Sequence, residues 1–156
     1  MGKRFLVISA LCSVACFLLA GCAAAATGGG RGAAHAQAAA ALQMKVGETP
    51  VSVEWEDSDS VAALGRLCQS GPLAIGMSRY GGFEQVGPIG QSLPRNDIQT
   101  TTQPGDIVLY SGDQLVVFYG SNSWAYAKLG HIAGESEQEL ADLLGSGDVM
   151  VAIAES

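Results

Sequence analysis

The stretch from Asp106 to Ile132 constrains the fold of this chain most. It strings together Asp106-Ile107-Val108-Leu109-Tyr110, a turn at Ser111-Gly112-Asp113, then Gln114-Leu115-Val116-Val117-Phe118-Tyr119. A second turn, Gly120-Ser121-Asn122-Ser123, leads into a third apolar run from Trp124 to Ile132. β-Branched and aromatic residues crowd all three runs, as strands require, and turns this short join only antiparallel neighbours. A domain built round such a meander has to bury at least one face of a twisted antiparallel sheet.

The flanking segments extend that sheet. Gln43-Met44-Lys45-Val46 and Val51-Ser52-Val53-Glu54-Trp55 alternate in polarity and are joined through Gly47-Glu48-Thr49-Pro50, which reads as a half-buried hairpin. Leu73 to Met77 and Phe83 to Ile89 form a further pair of strands around Arg79-Tyr80-Gly81-Gly82, and Val149-Met150-Val151-Ala152-Ile153 forms the last. Two short helices interrupt the series. In the first, Glu56-Asp57-Ser58-Asp59 caps a stretch with Val61, Leu64 and Cys68 at helical spacing, and Gly71-Pro72 ends it. In the second, Ser136-Glu137-Gln138-Glu139 is a capping box opening a helix through Leu140, Leu143 and Leu144, with Gly145 at its end. The polar connection from Gly90 to Gly105 is expected to be irregular. The compact arrangement is a closed or nearly closed barrel with a helix over each open end, which removes exposed strand edges. A β-sandwich with peripheral helices is the alternative.

The front of the chain is of a different kind. Lys3 and Arg4 precede an apolar run from Phe5 to Leu18, too short to span a bilayer core, and Leu19-Ala20-Gly21-Cys22 follows. This is the pattern of a bacterial lipoprotein precursor: residues 1–21 form the cleaved signal, and Cys22 carries fatty acyl groups such as palmitate. Two acyl chains make a stable tether, which places the chain on the extracytoplasmic side of the cell envelope. From Ala23 to Ala41 the composition turns to Ala and Gly with Arg31 as the sole charge, so 22–41 is a linker and 42–156 the folded domain. A flexible segment of that length has a typical reach of about 25 Å. Residues 37–42 have helical propensity, and His35 in the same tract is taken as incidental.

Processing would also settle the cysteines and the charge. Cys12 and Cys16 leave with the signal and Cys22 is acylated, so Cys68 alone remains and no internal disulfide is possible. Cys68 is expected to be a buried, small apolar residue. The remaining chain keeps all 15 acidic residues and 6 of the 8 basic ones, a formal charge of −9. That surface repels nucleic acid. No metal site is expected: Asp57 and Asp59 lack the Gly and the later acid of a calcium loop, where Ala62 and Cys68 stand, and His131 has no ligand partner at a suitable spacing. Neither a phosphate-binding Gly-Lys-Ser/Thr loop nor a Gly-x-Ser-x-Gly elbow occurs, and no cofactor is expected.

Gly105 to Tyr110, Leu115 to Gly120, Asn122-Ser123-Trp124-x-Tyr126-x-x-Leu129-Gly130-x-Ile132 and the earlier Ser92-Leu93-Pro94 resemble the bacterial cyclophilin-like domain family. The likeness runs from about Met44 to Ile153. It implies a mainly β fold, a closed cyclophilin-like barrel of about eight strands capped by two short helices. Members of that family mostly lack a demonstrated activity, and some are joined to flavodoxin-like domains. True cyclophilins, which are prolyl isomerases, carry an Arg, then four intervening residues, a Phe-Met pair, one further residue and a Gln. Arg79, Phe83 and Gln85 occur here in that order, one residue short before Phe83 and with Glu84 in the Met place.

The expected function is therefore a membrane-tethered binding module that engages an extended peptide or protein segment. The expected groove is lined by Arg79, Tyr80, Phe83, Gln85, Trp124 and His131. One alternative is a peptidyl-prolyl isomerase acting on exported proteins, with Arg79 polarising the imide and Phe83 holding the proline ring. Another is a carrier of small ligands.

Overall fold

A computed structural model describes residues 42–156 together with residues 32, 33, 35–37 and 39. The expected signal segment and Cys22 lie outside the described residues. The elements run β1 (Leu42–Val46), β2 (Thr49–Trp55), α1 (Asp59–Cys68), β3 (Leu73–Tyr80), β4 (Glu84–Pro88) and β5 (Ile98–Thr101). They continue with β6 (Asp106–Tyr110), β7 (Gln114–Phe118), β8 (Ser123–Ala133), α2 (Glu137–Leu144) and β9 (Val149–Glu155).

All strand pairings are antiparallel, in the order β2-β1-β9-β3-β4-β7-β6-β8-β5, and β2 also pairs with β8. That last pairing, from Ser52↔Ala133 to Trp55↔Gly130, closes eight strands into a barrel and leaves β5 outside the ring. The barrel is the architecture expected from the residues. The additional strand is not: Ile98-Gln99-Thr100-Thr101 pairs with Ser123–Tyr126 within the connection expected to be irregular. With three of its four residues exposed, β5 has no buried face to impose an apolar alternation.

Antiparallel order fixes where the helices lie. β2 and β3 run in opposite directions, separated in the ring by β1 and β9, so the end of β2 and the start of β3 are at the same rim, bridged by α1. The end of β8 and the start of β9 meet at the other rim, where α2 bridges them. Ser58 caps α1 by accepting the Val61 N–H at 3.2 Å, and Val61, Leu64 and Cys68 point into the core. The Ser136/Glu139 box caps α2 reciprocally, and its Leu140 and Leu144 join the same core. Burial pushes the Cys68 thiol above its ordinary pKa, as suits a buried apolar role.

Ile107, Leu109, Leu115, Val117 and Leu129 fill the barrel interior. The opposite face of β6, β7 and β8 is also apolar: Val108, Val116, Phe118 and Tyr126 form a second buried cluster, with Phe83 and Val86 packed against it. Burial on both faces explains why the 106–118 runs read as continuously apolar rather than alternating. This outer cluster is the floor of the site described next.

Candidate functional site

The β3–β4 hairpin sets one side of the site. Its turn passes through Gly81 (φ 60°) and Gly82 (φ 78°), the left-handed pair that matches the twist of two joined strands, and Phe83 N–H donates to Tyr80 C=O at 3.4 Å. The turn leaves Tyr80 exposed at one lip and brings Glu84 beside it on the outer face of β4. Strands β6, β7 and β8 contribute Tyr110, Gln114, Val116, Trp124 and Tyr126. Together with Val86 and Asn122 these residues enclose an open pocket of about 410 Å³ on the outside of the barrel.

Its walls are aromatic and its floor is ordered. Phe83 stacks on Phe118 with centroids 6.4 Å apart, while Phe118 and Tyr110 each meet Tyr126 edge to face, at 5.6 and 6.1 Å. Such contacts fix ring orientation as well as contributing apolar burial. Asn122 Nδ2 donates to the Tyr126 hydroxyl at 3.0 Å, and Asn122 is itself held by Thr102, whose buried Oγ1 accepts the Asn122 N–H at 2.9 Å. Ser121 Oγ donates to Thr102 C=O at 2.7 Å, which ties the β7–β8 turn to the segment after β5.

Among the described residues, Glu84 is the one charged residue lining this pocket. It is 6% exposed, and its Oε2 is buried without a hydrogen-bond partner among the described residues. Desolvation pushes its pKa up to about 7. The Tyr126 hydroxyl is raised too, first by burial and then by the neighbouring Glu84 charge. A buried, strongly perturbed carboxyl in a concave aromatic setting is the chemical signature of a binding or reactive site.

The six residues expected to form one groove divide among three places. Tyr80 and Trp124 line the pocket, 67% and 57% exposed, and Phe83 packs beneath it against the outer cluster. Arg79 and Gln85 are register partners on the other side of the β3–β4 ladder from Tyr80 and Glu84. Gln85 is fully buried, and its Nε2 donates to Leu144 C=O at 2.5 Å and Gly147 C=O at 2.6 Å, closing the end of α2. Arg79 is exposed, its backbone N–H directed to Asp148 Oδ1 at 3.4 Å. His131 lies apart in a polar network: its Nδ1 is 3.0 Å from Asp106 Oδ1, with Lys128 Nζ 3.6 Å from the same oxygen. Glu84, Tyr110 and Tyr126 were not singled out from the sequence. Glu84 was visible there only as an acid in the Met place of the cyclophilin pattern.

A closed antiparallel barrel with a helix at each rim and an aromatic pocket on its outer wall defines a cyclophilin-like module. The cyclophilin-like family model matches residues 44–154, and the chain belongs to that family. Among curated proteins none matches. McbB, solved in complex with tryptophan, shares the fold at 15% identity and a TM-score of 0.55, covering 74% of this chain and 44% of its own. This chain thus corresponds to less than half of McbB. The hypothetical protein AF2241 from Archaeoglobus fulgidus, known from a solution structure, is 14% identical with a TM-score of 0.50 and covers 74% of this chain and 93% of its own.

Proposed function

We propose that this chain is a binding module tethered outside the cytoplasmic membrane through lipid on Cys22, and that it takes its ligand in the outer-wall pocket. The ligand is a peptide or protein segment that inserts one bulky apolar or aromatic side chain over Val116 and Tyr126. One observation carries this reading: a preformed pocket of about 410 Å³, walled by Tyr80, Tyr110, Trp124 and Tyr126, with a single buried charge. Its size and make-up are those of a ligand site. Aromatic rings supply large contact area at low conformational cost, which makes them frequent anchors of recognition.

The prolyl isomerase reading needs an arginine over the proline-binding surface. Among the described residues no arginine lines the pocket, and Arg79 belongs to the opposite side of its strand from Tyr80. In a protease-coupled assay on proline peptides, micromolar protein is expected to leave the spontaneous rate unchanged. The carrier reading gains from the pocket's capacity for a free small molecule and from McbB, a protein of this fold, having been solved with tryptophan. Native mass spectrometry of purified protein separates the two, since a carrier retains a bound small molecule.

The site itself is tested by amide chemical shifts on titration with a peptide library. Perturbations centred on Tyr80, Val116 and Trp124, with affinity reduced at least tenfold in Trp124→Ala, are the expected result. Shifts confined to the His131–Asp106 region with Trp124→Ala silent would refute the pocket assignment.

A further inference from the structure

Two polar side chains on the pocket floor, Asn122 and Tyr126, are partnered from within the protein. The Tyr126 hydroxyl has Asn122, and the Asn122 backbone has Thr102. Glu84 differs from them: it is more than nine-tenths buried, lines the pocket, and its Oε2 is sealed from solvent with no donor to accept from among the described residues. A buried carboxylate without a partner is costly, and a donor brought in by a ligand would relieve that cost. Among the described residues no lysine, arginine or histidine lines the pocket to serve as a donor. The surrounding rings present negative π faces, which attract cations.

From this we infer that the pocket selects an organic ammonium group carried on an apolar or aromatic body, with Glu84 as counter-ion and Tyr80, Tyr110, Trp124 and Tyr126 as the surrounding cage. The inference rests on the pocket being the binding site and adds the chemistry of the ligand. A free amine and a lysine side chain of a peptide present the same group, and both fit the requirement. The groups lining the pocket with Glu84 are Tyr80 of β3, Tyr110 of β6, Tyr126 of β8 and the amide of Gln114 on β7. Glu84, held near 7 in the empty protein, must ionise to pair with an ammonium ion. Affinity for an amine therefore rises about tenfold per pH unit below 7 and levels off above it.

The test uses three probes of one shape on the parent protein by calorimetry or NMR: 2-phenylethylamine, 2-phenylethanol and 3-phenylpropionate. The amine is expected to bind at least tenfold more tightly than the alcohol, and the carboxylate not at all. Glu84→Gln is expected to lower amine affinity at least tenfold and leave the alcohol unchanged. The pH profile of the parent protein gives a reading independent of any variant. A parallel arm compares a lysine peptide with its acetyl-lysine counterpart, and whichever of free amine or peptide binds more tightly names the source. Equal affinity for amine and alcohol, both weakened by Trp124→Ala, would overturn the ammonium inference and keep the site. Binding of all probes untouched by Trp124→Ala, or no binding of any probe at millimolar concentration, overturns both.

Discussion

Two adjacent residues, Glu84 and Gln85, face opposite sides of β4 and do opposite things. Glu84 is a buried group whose folded-state pKa, about 7, lies above its ordinary 4.5. Between those values the folded protein holds a proton that the unfolded chain has released. Stability is therefore fully present below about pH 4.5, falls as pH rises toward 7, and is flat beyond it. The loss across that window is roughly 3 kcal/mol. Urea unfolding at pH 5 and pH 8 is expected to show most of this difference, and Glu84→Gln to abolish most of what is seen; a difference unchanged in the variant would mean other groups cause it. Gln85 serves the interior. Replacing it by Leu leaves the buried Leu144 carbonyl without its donor, at about 1–3 kcal/mol, and also removes the donor to the half-buried Gly147 carbonyl. Denaturation midpoints at pH 7 are expected to fall accordingly, with ligand binding retained because the side chain does not line the pocket. Neither role was open to inspection of the sequence. Gln85 meets its partners 59 and 62 residues away, and a spacing argument across a hairpin cannot say which face a side chain takes.

Among the elements, β8 does the most structural work. Its eleven residues pair with β5 along Ser123–Tyr126, with β6 along Ala127–His131 and with β2 along Gly130–Ala133. A register irregularity between Ile107 and Val108 lets the strand change phase between the pocket wall and the barrel seam. Gly130 stands at that seam, where an added Cβ would lie 2.7 Å from Glu54 C=O and 3.1 Å from Val53 Cγ1. Gly130→Ala must push β2 away from β8, at roughly 1–3 kcal/mol. Hydrogen exchange in the variant is expected to accelerate first in β2, with β6 and β7 still protected; uniform acceleration would show that the seam is not a separate weak point. Strands β6 and β7 and both helix caps were legible because each is a local pattern, apolar run or Ser-x-x-Glu box. β5 was not, because an edge strand exposed on most of its length is specified by its neighbour Ser123–Tyr126 and not by its own residues. The pocket was half legible for the same reason. Tyr80 and Trp124 stood out as aromatics beside turns, while Glu84, Tyr110 and Tyr126 come together only once the order β4-β7-β6-β8 is known.

At the scale of the molecule, closure gives the site a direction. In the ring β2-β1-β9-β3-β4-β7-β6-β8, β1 and β7 stand four places apart and so lie across the barrel from one another. The chain enters the barrel at β1, where the expected linker ends, and β7 supplies Gln114 and Val116 to the centre of the pocket wall. A tether joined at β1, as proposed, would leave the pocket facing away from the strand that carries it. The tract just before β1 is held to the domain, with His35 3.6 Å from Asp57 Oδ1 and 3.1 Å from Asp59 Oδ1. The cysteine inventory makes this arrangement measurable. Cys68 is 4% exposed with its Sγ 3.5 Å from Ile153 C=O, and an acylated Cys22 has no thiol. The processed parent protein should thus be inert to maleimide, while Trp124→Cys places one accessible thiol at the pocket's mouth. Spheroplasts treated with a membrane-impermeant maleimide are expected to label Trp124→Cys and not the parent chain, with the labelled protein in the membrane fraction. Adding Cys22→Ser should move the labelled chain out of that fraction. Labelling that requires lysis places the domain on the cytoplasmic side, and a Trp124→Cys chain that resists reagent while still membrane-bound places the pocket against another surface.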